Sequence, residues 1–468
     1  MPMRATFVKS LDQYGNKTAL VTDTGVEISY RTLLSVADKI AGMIEKRCLI
    51  FCVCSNNFES VAGYIGFLRA HIVPILINPD TDTDLYTDLE TTYQPSYVWA
   101  PKNFAKGTLI YAYGNYELSK TNYNVVHELY DELALLLTTS GSTGSPKLVR
   151  QSYKNIENNT NSIIEYLDIT EIDRAITTLP LSYTYGLSIL HTHLAAGATV
   201  ILTDASLMSK SFWSLLKEQK ATTFGGVPYT YEMLKKLRFA RMDLPSLTYL
   251  TQAGGKLSKE LSLEFSEICA KQGKRFIVMY GQSEATARMS YLPWGYAIIK
   301  AGSIGIAIPH GKFTLIDANG EEITTPHVTG ELEYEGDNVT LGYADSIEDL
   351  AKGDEYHGVL QTGDMAEFDE DRFFYIVGRK KRFLKIFGNR VNLDEVEGLL
   401  KSKGYDCAVG GVDDHMKIFV TDKRQLEDVK HFVSGKTGLN PAAFTSVYIE
   451  SIPRNESGKI LYAHLEGM

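Results

Sequence analysis

The chain has 468 residues, too many for one compact core, so two or more domains are expected. An apolar share of 44% and a charged share of 22% are those of an ordinary soluble globular protein. The net charge of -10 argues against a nucleic-acid partner, whose recognition needs clustered Lys and Arg.

The opening Met1-Pro2-Met3-Arg4-Ala5-Thr6 leads into no apolar run of the kind a secretory signal needs. No apolar stretch is long enough to span a bilayer. A cytoplasmic protein with no integral membrane association is therefore expected. Five cysteines without framework spacing fit a reducing compartment. Cys48, Cys52 and Cys54 share one short apolar run. That run allows a metal site or a buried strand, and its continuous apolar character favours the strand.

In chain order, Val36, Ala37, Ile40, Ala41 and Ile44 recur at helical spacing. Residues 48–54 read as a buried strand, 58–70 as a helix and 72–77 as the next strand. Leu133 to Leu137 read as another buried strand, running into a loop of Ser, Thr and Gly. Beyond Lys147 the helical spacing of Ile156, Ile163, Ile164 and Leu167 predicts a helix with Ser152 as N-cap. Similar alternation returns at 175–180, 198–203, 212–224, 247–252 and 258–280. Short apolar strands between amphipathic helices predict buried, mostly parallel sheets covered by helices. From 311 to 377, Asn-Gly and Glu-Gly punctuation predicts a small antiparallel β subdomain. The basic run Arg379-Lys380-Lys381-Arg382 then opens a tail with a helix from Asp394 and strands at 417–420 and 446–449. The expected fold is α/β. A large N-terminal domain, 1–380, has helix-covered, mostly parallel sheets plus the β subdomain. A small α+β C-terminal domain, 381–468, follows.

The loop Thr139-Ser140-Gly141-Ser142-Thr143-Gly144-Ser145-Pro146-Lys147 is the first feature that carries chemistry. Small residues let backbone N–H groups approach a polyphosphate, and hydroxyls and the Lys147 ammonium add donors. Gly144 is followed by Ser-Pro-Lys and not by Lys-Ser/Thr, which argues against a Walker loop. In isolation the segment could equally be a surface turn.

With its Pro146 and Lys147, the segment resembles the phosphate loop of the adenylate-forming superfamily, which holds acyl-CoA synthetases, aryl-CoA ligases, adenylation domains and luciferases. Further segments are similar to that family's motifs, in the family's order. They are Leu179 to Leu187 with its aromatic gate, Ala253-Gly254-Gly255-Lys256-Leu257, Tyr280-Gly281-Gln282-Ser283-Glu284, Lys300 to Gly305, and Gly330-Glu331-Leu332. Thr362-Gly363-Asp364, Gly378 to Val391, and Pro453 to Leu461 complete the series. The resemblance covers nearly the whole chain and is closest to the acyl-CoA synthetases.

The resemblance implies a reaction in which a carboxylate attacks the α-phosphate of ATP and pyrophosphate leaves, with positioning and electrostatics doing most of the work. It implies ATP or AMP contacts from Thr139, Ser140, Gly141, Ser142, Thr143, Gly144, Lys147, Gly254, Gly255, Lys256, Gly281, Gln282 and Ser283. Tyr280 lies against adenine, and Asp364 and Arg379 meet the ribose. Glu284 with Thr139 holds Mg2+. Lys459 bridges the incoming carboxylate and the α-phosphate. The acid meets Tyr183, Tyr185, Gly225, Gly226, Val227, Ala253 and Gly254. Lys381 is the hinge about which the small domain turns, so that Gly388, Asn389 and Arg390 then face the site as a thiol tunnel.

Two departures stand out. Tyr183 occupies a position where the family often has His, and the C-terminal domain looks shorter than usual. His191 and His193 are read as structural. Gly186 to His191 offers no carboxylate to pair an α-ammonium, so a non-amino carboxylic acid is expected. The expected activity is ATP-dependent, AMP-forming acid activation followed by thioester formation with CoA. Transfer to the pantetheine of an acyl carrier protein is the alternative, and an ATP-binding regulator without turnover is a third.

Overall fold

The computed structural model describes residues 8, 10–138, 147–386, 389–437, 439–454 and 460–466. Among these, the chain divides into two compact units. The first is built from residues up to 138, 147–312 and 335–360, and the second from 313–334 and 361–466.

The first unit holds two large sheets. One has nine strands, in the order Ile306–Ala307, Ser290–Tyr291, Arg275–Tyr280, Tyr249–Gln252, Thr223–Gly226, Arg174–Ile176, Thr199–Ile201, Thr18–Val21 and Glu27–Ser29. The other has eight, in the order Tyr343–Ala344, Leu148–Ser152, Leu133–Thr138, Val73–Ile77, Leu49–Val53, Tyr97–Pro101, Tyr116–Lys120 and Thr108–Tyr113. Both sheets are parallel at the centre and antiparallel towards both edges. Central strands such as Leu49–Val53 and Val73–Ile77 are buried along their whole length, which is why they read as continuous apolar runs. Cys52 and Cys54 are buried free thiols here, and burial raises the pKa of Cys52.

The chain differs from expectation just after the glycine-rich loop. Lys147 leads into the strand Leu148–Ser152, antiparallel to Leu133–Thr138, before the helix Tyr153–Leu167 begins. Tertiary pairing with two sheet neighbours overrides the weak local pattern of Leu148-Val149-Arg150-Gln151-Ser152. Ser152 does cap the helix, reciprocally with Asn155.

The second unit contains a four-stranded sheet, in the order Lys312–Ile316, Gly330–Glu335, Val359–Phe368 and Phe374–Arg379. It also contains the hairpin Phe383–Ile386/Asn389–Asn392 and a three-stranded sheet of Cys407–Val412, His415–Val420 and Phe444–Tyr448. Helices Leu393–Ser402 and Leu426–Thr437 accompany these strands. The buried Glu397 carboxylate anchors the region, receiving Arg382, Lys401, Tyr462 Oη and the Val409 N–H. No helix among the described residues is long and apolar enough to cross a membrane.

In the first unit, helix Tyr30–Ala41 buries Leu33, Leu34, Ala37 and Ile40, the stripe visible in its spacing. It packs on helix Phe58–Arg69 so closely that a Cβ at Gly66 would lie 2.3 Å from the Ala37 carbonyl oxygen. Gly66→Ala is therefore expected to destabilise the protein by about 1–3 kcal/mol, read as a lowered urea midpoint. An unchanged midpoint would mean the helices separate at no cost.

Helix Thr184–Ala195 is buried along nearly its whole length. His191 Nε2 lies 2.7 Å from Tyr64 Oη, and burial pushes the histidine pKa down to about 3. His193 donates from Nδ1 to the Ile189 carbonyl at 2.9 Å and is pushed down to about 4. Both are neutral in the folded chain. Below about pH 6.5 the unfolded chain binds a proton at each that the folded chain does not, so stability falls with pH towards those lowered values. Each contributes at most about 1.4 kcal/mol per pH unit. In urea titrations, His191→Gln should lose less stability than wild type between about pH 7 and pH 5. Equal losses would show that His191 does not titrate on unfolding.

Candidate active site

Three adjacent strands of the nine-stranded sheet, Thr223–Gly226, Tyr249–Gln252 and Arg275–Tyr280, run parallel and in register. Gly226, Gln252 and Val278 lie side by side, so the segments after these carboxyl ends emerge along one edge. Those segments open on Val227, on Ala253-Gly254-Gly255 and on Gly281 to Glu284, residues singled out above.

Gly254 has φ +82°, and a Cβ there would lie 2.5 Å from Tyr183 Oη and 3.1 Å from Val227 Cγ1. Tyr183 therefore lies directly over the Gly254 backbone, beside Val227. Burial pushes the Tyr183 phenol up to about 12, so it stays neutral and can only pack or donate and accept hydrogen bonds. Tyr185 is fully buried, and its Oη meets Thr251 O and Oγ1, each at 2.8 Å. Gly225 and Gly226 belong to the buried strand, and Ala253 is buried at its neighbour's end. Gln252 Nε2 donates to the Ala253 and Gly255 carbonyls and stiffens that loop. Lys256 is exposed.

Tyr280 ends its strand half-buried, and Gln282 Nε2 donates to its Oη at 3.2 Å. Ser283 and Glu284 open the single turn Ser283–Ala285. Buried amides pin this turn. Gln151 donates to the Thr286 carbonyl, Asn338 to those of Ala285 and Arg288, and Asn159 to that of Arg288. Thr286, at φ +66°, donates its hydroxyl to the Asn338 carbonyl. The Glu284 carbonyl accepts from Thr340 N and Oγ1 at 2.9 and 3.0 Å. The Glu284 backbone is thus fixed before its side chain does anything.

That side chain accepts a short hydrogen bond, 2.5 Å, from Tyr343 Oη. Burial, followed by the adjacent Glu284 charge, raises the Tyr343 pKa, so the phenol remains a donor. Lys147 Nζ sits 3.6 Å from the centroid of the same ring. The last residue of the glycine-rich loop and the candidate metal ligand are therefore gathered by one tyrosine. Tyr343 is in turn held by Arg150, a fully buried guanidinium. Arg150 donates to the carbonyls of Tyr343, Leu341, Gly353 and Lys352 and pairs with Glu355.

In the second unit, Asp364 and Arg379 face each other across an antiparallel pair, with Asp364 buried and Nε 3.3 Å from Oδ1. Thr362 Oγ1 accepts from the Asp364 N–H and donates to the Leu332 carbonyl, which fixes the carboxylate's backbone. Lys381 lies in the turn Lys380–Arg382, and Asn389 and Arg390 lie in the strand Asn389–Asn392. Thr139, Ser140, Gly141, Ser142, Thr143, Gly144, Gly388 and Lys459 lie outside the described residues. Around the last of these, Arg454 bridges Ile460 and Leu461 N donates to Pro453 O.

Sequence reasoning missed Tyr343, Arg150 and Arg288. Tyr343 follows no motif and offers no local signal. Arg288 lies in the irregular segment before the short strand Ser290–Tyr291, four residues after Glu284, and its nearness to that motif is a signal that could have been followed.

Among known proteins, the chain is 28% identical over 449 residues to an oxalate–CoA ligase of Arabidopsis thaliana, covering 86% of this chain and 85% of that one. It is 29% identical over 346 residues to a 2-succinylbenzoate–CoA ligase of Bacillus licheniformis, covering 71% and 69%. Its fold is that of an O-succinylbenzoate coenzyme A synthetase from Bacillus subtilis in complex with AMP. The TM-score is 0.79 at 20% identity, over 97% of this chain and 96% of that one. Residues 7–344 match the AMP-binding enzyme family, and the chain belongs to that family.

Proposed function

We propose that the protein uses ATP to convert a non-amino carboxylic acid to its acyl-adenylate, releasing pyrophosphate, and passes the acyl group to the thiol of CoA. The observation that carries this reading is the convergence of Lys147 and Glu284 on Tyr343, at the foot of the glycine-rich loop. A cation and an acid held at one place suit a nucleotide phosphate and its metal. The relatives named as CoA ligases support the acceptor.

The residues present fit Mg2+. That ion commonly takes one or two carboxylates and completes its shell with phosphate oxygens and water. Glu284 supplies one oriented carboxylate, and no group of three or more potential ligands occurs among the described residues. When bound, Mg2+ would neutralise phosphate charge. Tyr343, as a neutral donor, orients the Glu284 carboxylate. Lys147 places positive charge over the Tyr343 ring. Tyr183 closes over the Gly254 backbone, where the acid would lie. Helix Thr184–Ala195 carries no carboxylate, so an α-ammonium would be buried without a partner there.

Asp364 and Arg379 are assigned to the ribose, and Lys459 to the attacking carboxylate and the α-phosphate. Lys381 is proposed as the hinge for a second arrangement that presents the 388–390 segment to the thiol. The free cysteines suit a reducing compartment such as the cytoplasm.

Pyrophosphate release against a panel of acids, with and without CoA and a pantetheinylated carrier, tests the overall reaction. AMP release that depends on carrier protein and ignores CoA would replace the proposed acceptor. Glu284→Gln is expected to lower kcat/KM for Mg-ATP by about 10²–10³-fold, and Tyr343→Phe by about tenfold, both with a raised Mg2+ midpoint. An unchanged Mg2+ titration removes Glu284 as the ligand.

Lys459→Ala should lower acyl-adenylate formation by about 10²–10³-fold while sparing thioester formation from supplied acyl-AMP. Equal losses in both half-reactions would refute the alternation about Lys381.

A further inference from the structure

Arg288 is buried to 1% exposure, yet its environment is unlike that of Arg150. Its Nη1 donates to Tyr166 Oη at 3.2 Å and approaches Met279 Sδ at 2.7 Å, and its Nη2 donates to Ser188 Oγ at 2.9 Å. The guanidinium lies 4.5 Å from the centroid of the Tyr185 ring. All of these partners are neutral, and Arg288 forms no ion pair among the described residues. Asp173, whose charge is felt by His193, is occupied by the Thr170 N–H and the Thr222 hydroxyl. A buried cation with only neutral partners leaves its desolvation uncompensated.

Three buried polar atoms without a hydrogen-bond partner belong to residues that line one cavity: Arg288 Nε, Tyr249 Oη and His193 Nε2. The cavity has a volume of about 10 Å³, about the space one water oxygen needs. Its wall includes Gly225, whose Cβ position lies 2.9 Å from both Tyr185 Oη and Ile189 Cδ1. Gly225 is also a residue of the acid site proposed above, so the cavity and that proposed site share one wall residue. A water there would satisfy hydrogen bonds and leave the Arg288 charge unanswered. An oxyanion would accept from Arg288 Nε and Tyr249 Oη and also answer the charge.

We propose that the substrate is a short dicarboxylic acid. Its far carboxylate sets one oxygen in this cavity on Arg288 Nε and Tyr249 Oη, while the near carboxylate is activated. The inference rests on the acid-activating reading, and Arg288 becomes its determinant of substrate class.

The test pairs each short straight-chain monocarboxylate with its α,ω-dicarboxylate in pyrophosphate-release assays. It uses wild type, Arg288→Met, Arg288→Lys and Tyr249→Phe. Wild type should favour one dicarboxylate over its monocarboxylate partner by at least about tenfold in kcat/KM. Arg288→Met should lose or invert that preference, Arg288→Lys should retain part of it, and Tyr249→Phe should weaken it with the melting temperature nearly unchanged. The same dicarboxylate should raise the melting temperature of wild type but not of Arg288→Met, whether or not turnover occurs. Pyrophosphate release with no acid at all, beside an intact melting shift, would refute the proposed reaction and leave this binding site standing. A preference for monocarboxylates, or no melting shift with any dicarboxylate, would overturn the inference and leave the cavity as a buried-water site. A uniform loss on every acid in Arg288→Met and Arg288→Lys would also overturn it.

Discussion

The burial of the Arg150 guanidinium is the constraint on which the candidate site depends. A cation in a protein interior is tolerated only when its donors are met. Arg150 meets them by drawing the 341–355 segment onto the strand that follows the glycine-rich loop, using backbone carbonyls and Glu355. The segment so held delivers Tyr343, and Tyr343 sets the Glu284 carboxylate and receives Lys147. One electrostatic requirement therefore fixes residues that lie almost two hundred positions apart in the chain, by the 191 separating Arg150 from Leu341.

Around that strut the first unit repeats one device. Strands parallel at the sheet centre bring the loops after their carboxyl ends to one edge, and buried side-chain amides then lock those loops. Gln151, Asn159 and Asn338 act on the Ser283–Ala285 turn and the residues after it, and Gln252 acts on the Ala253 loop. Such neutral, satisfied groups stiffen these loops without adding charge to them. Arg288 stands apart, since its charge has no acidic partner among the described residues and it lines a cavity.

Much of this was legible in the residues. The whole-buried strands announced themselves as apolar runs, and Ser152 announced a helix start. The ordered motifs named Glu284, Tyr183, Gly254, Asp364 and Arg379, and each lies in a well-defined setting. The strand Leu148–Ser152 was not legible, because Arg150 and Gln151 interrupt its apolar pattern, and both are buried for long-range polar reasons. Tyr343 was not legible either, because its role comes from partners elsewhere in the chain.

By itself, the sequence determined the alternation of helices and strands, the family, and the residue types offered to a nucleotide and an acid. These follow from local periodicity and from short motifs whose chemistry is self-contained. The tertiary structure alone decided how those residues are held. A buried charge must find its partners wherever the fold brings them, as Arg150 finds the 341–355 carbonyls and Arg288 finds hydroxyls and a thioether. Such pairings join distant segments through desolvation, and no window of sequence contains both halves.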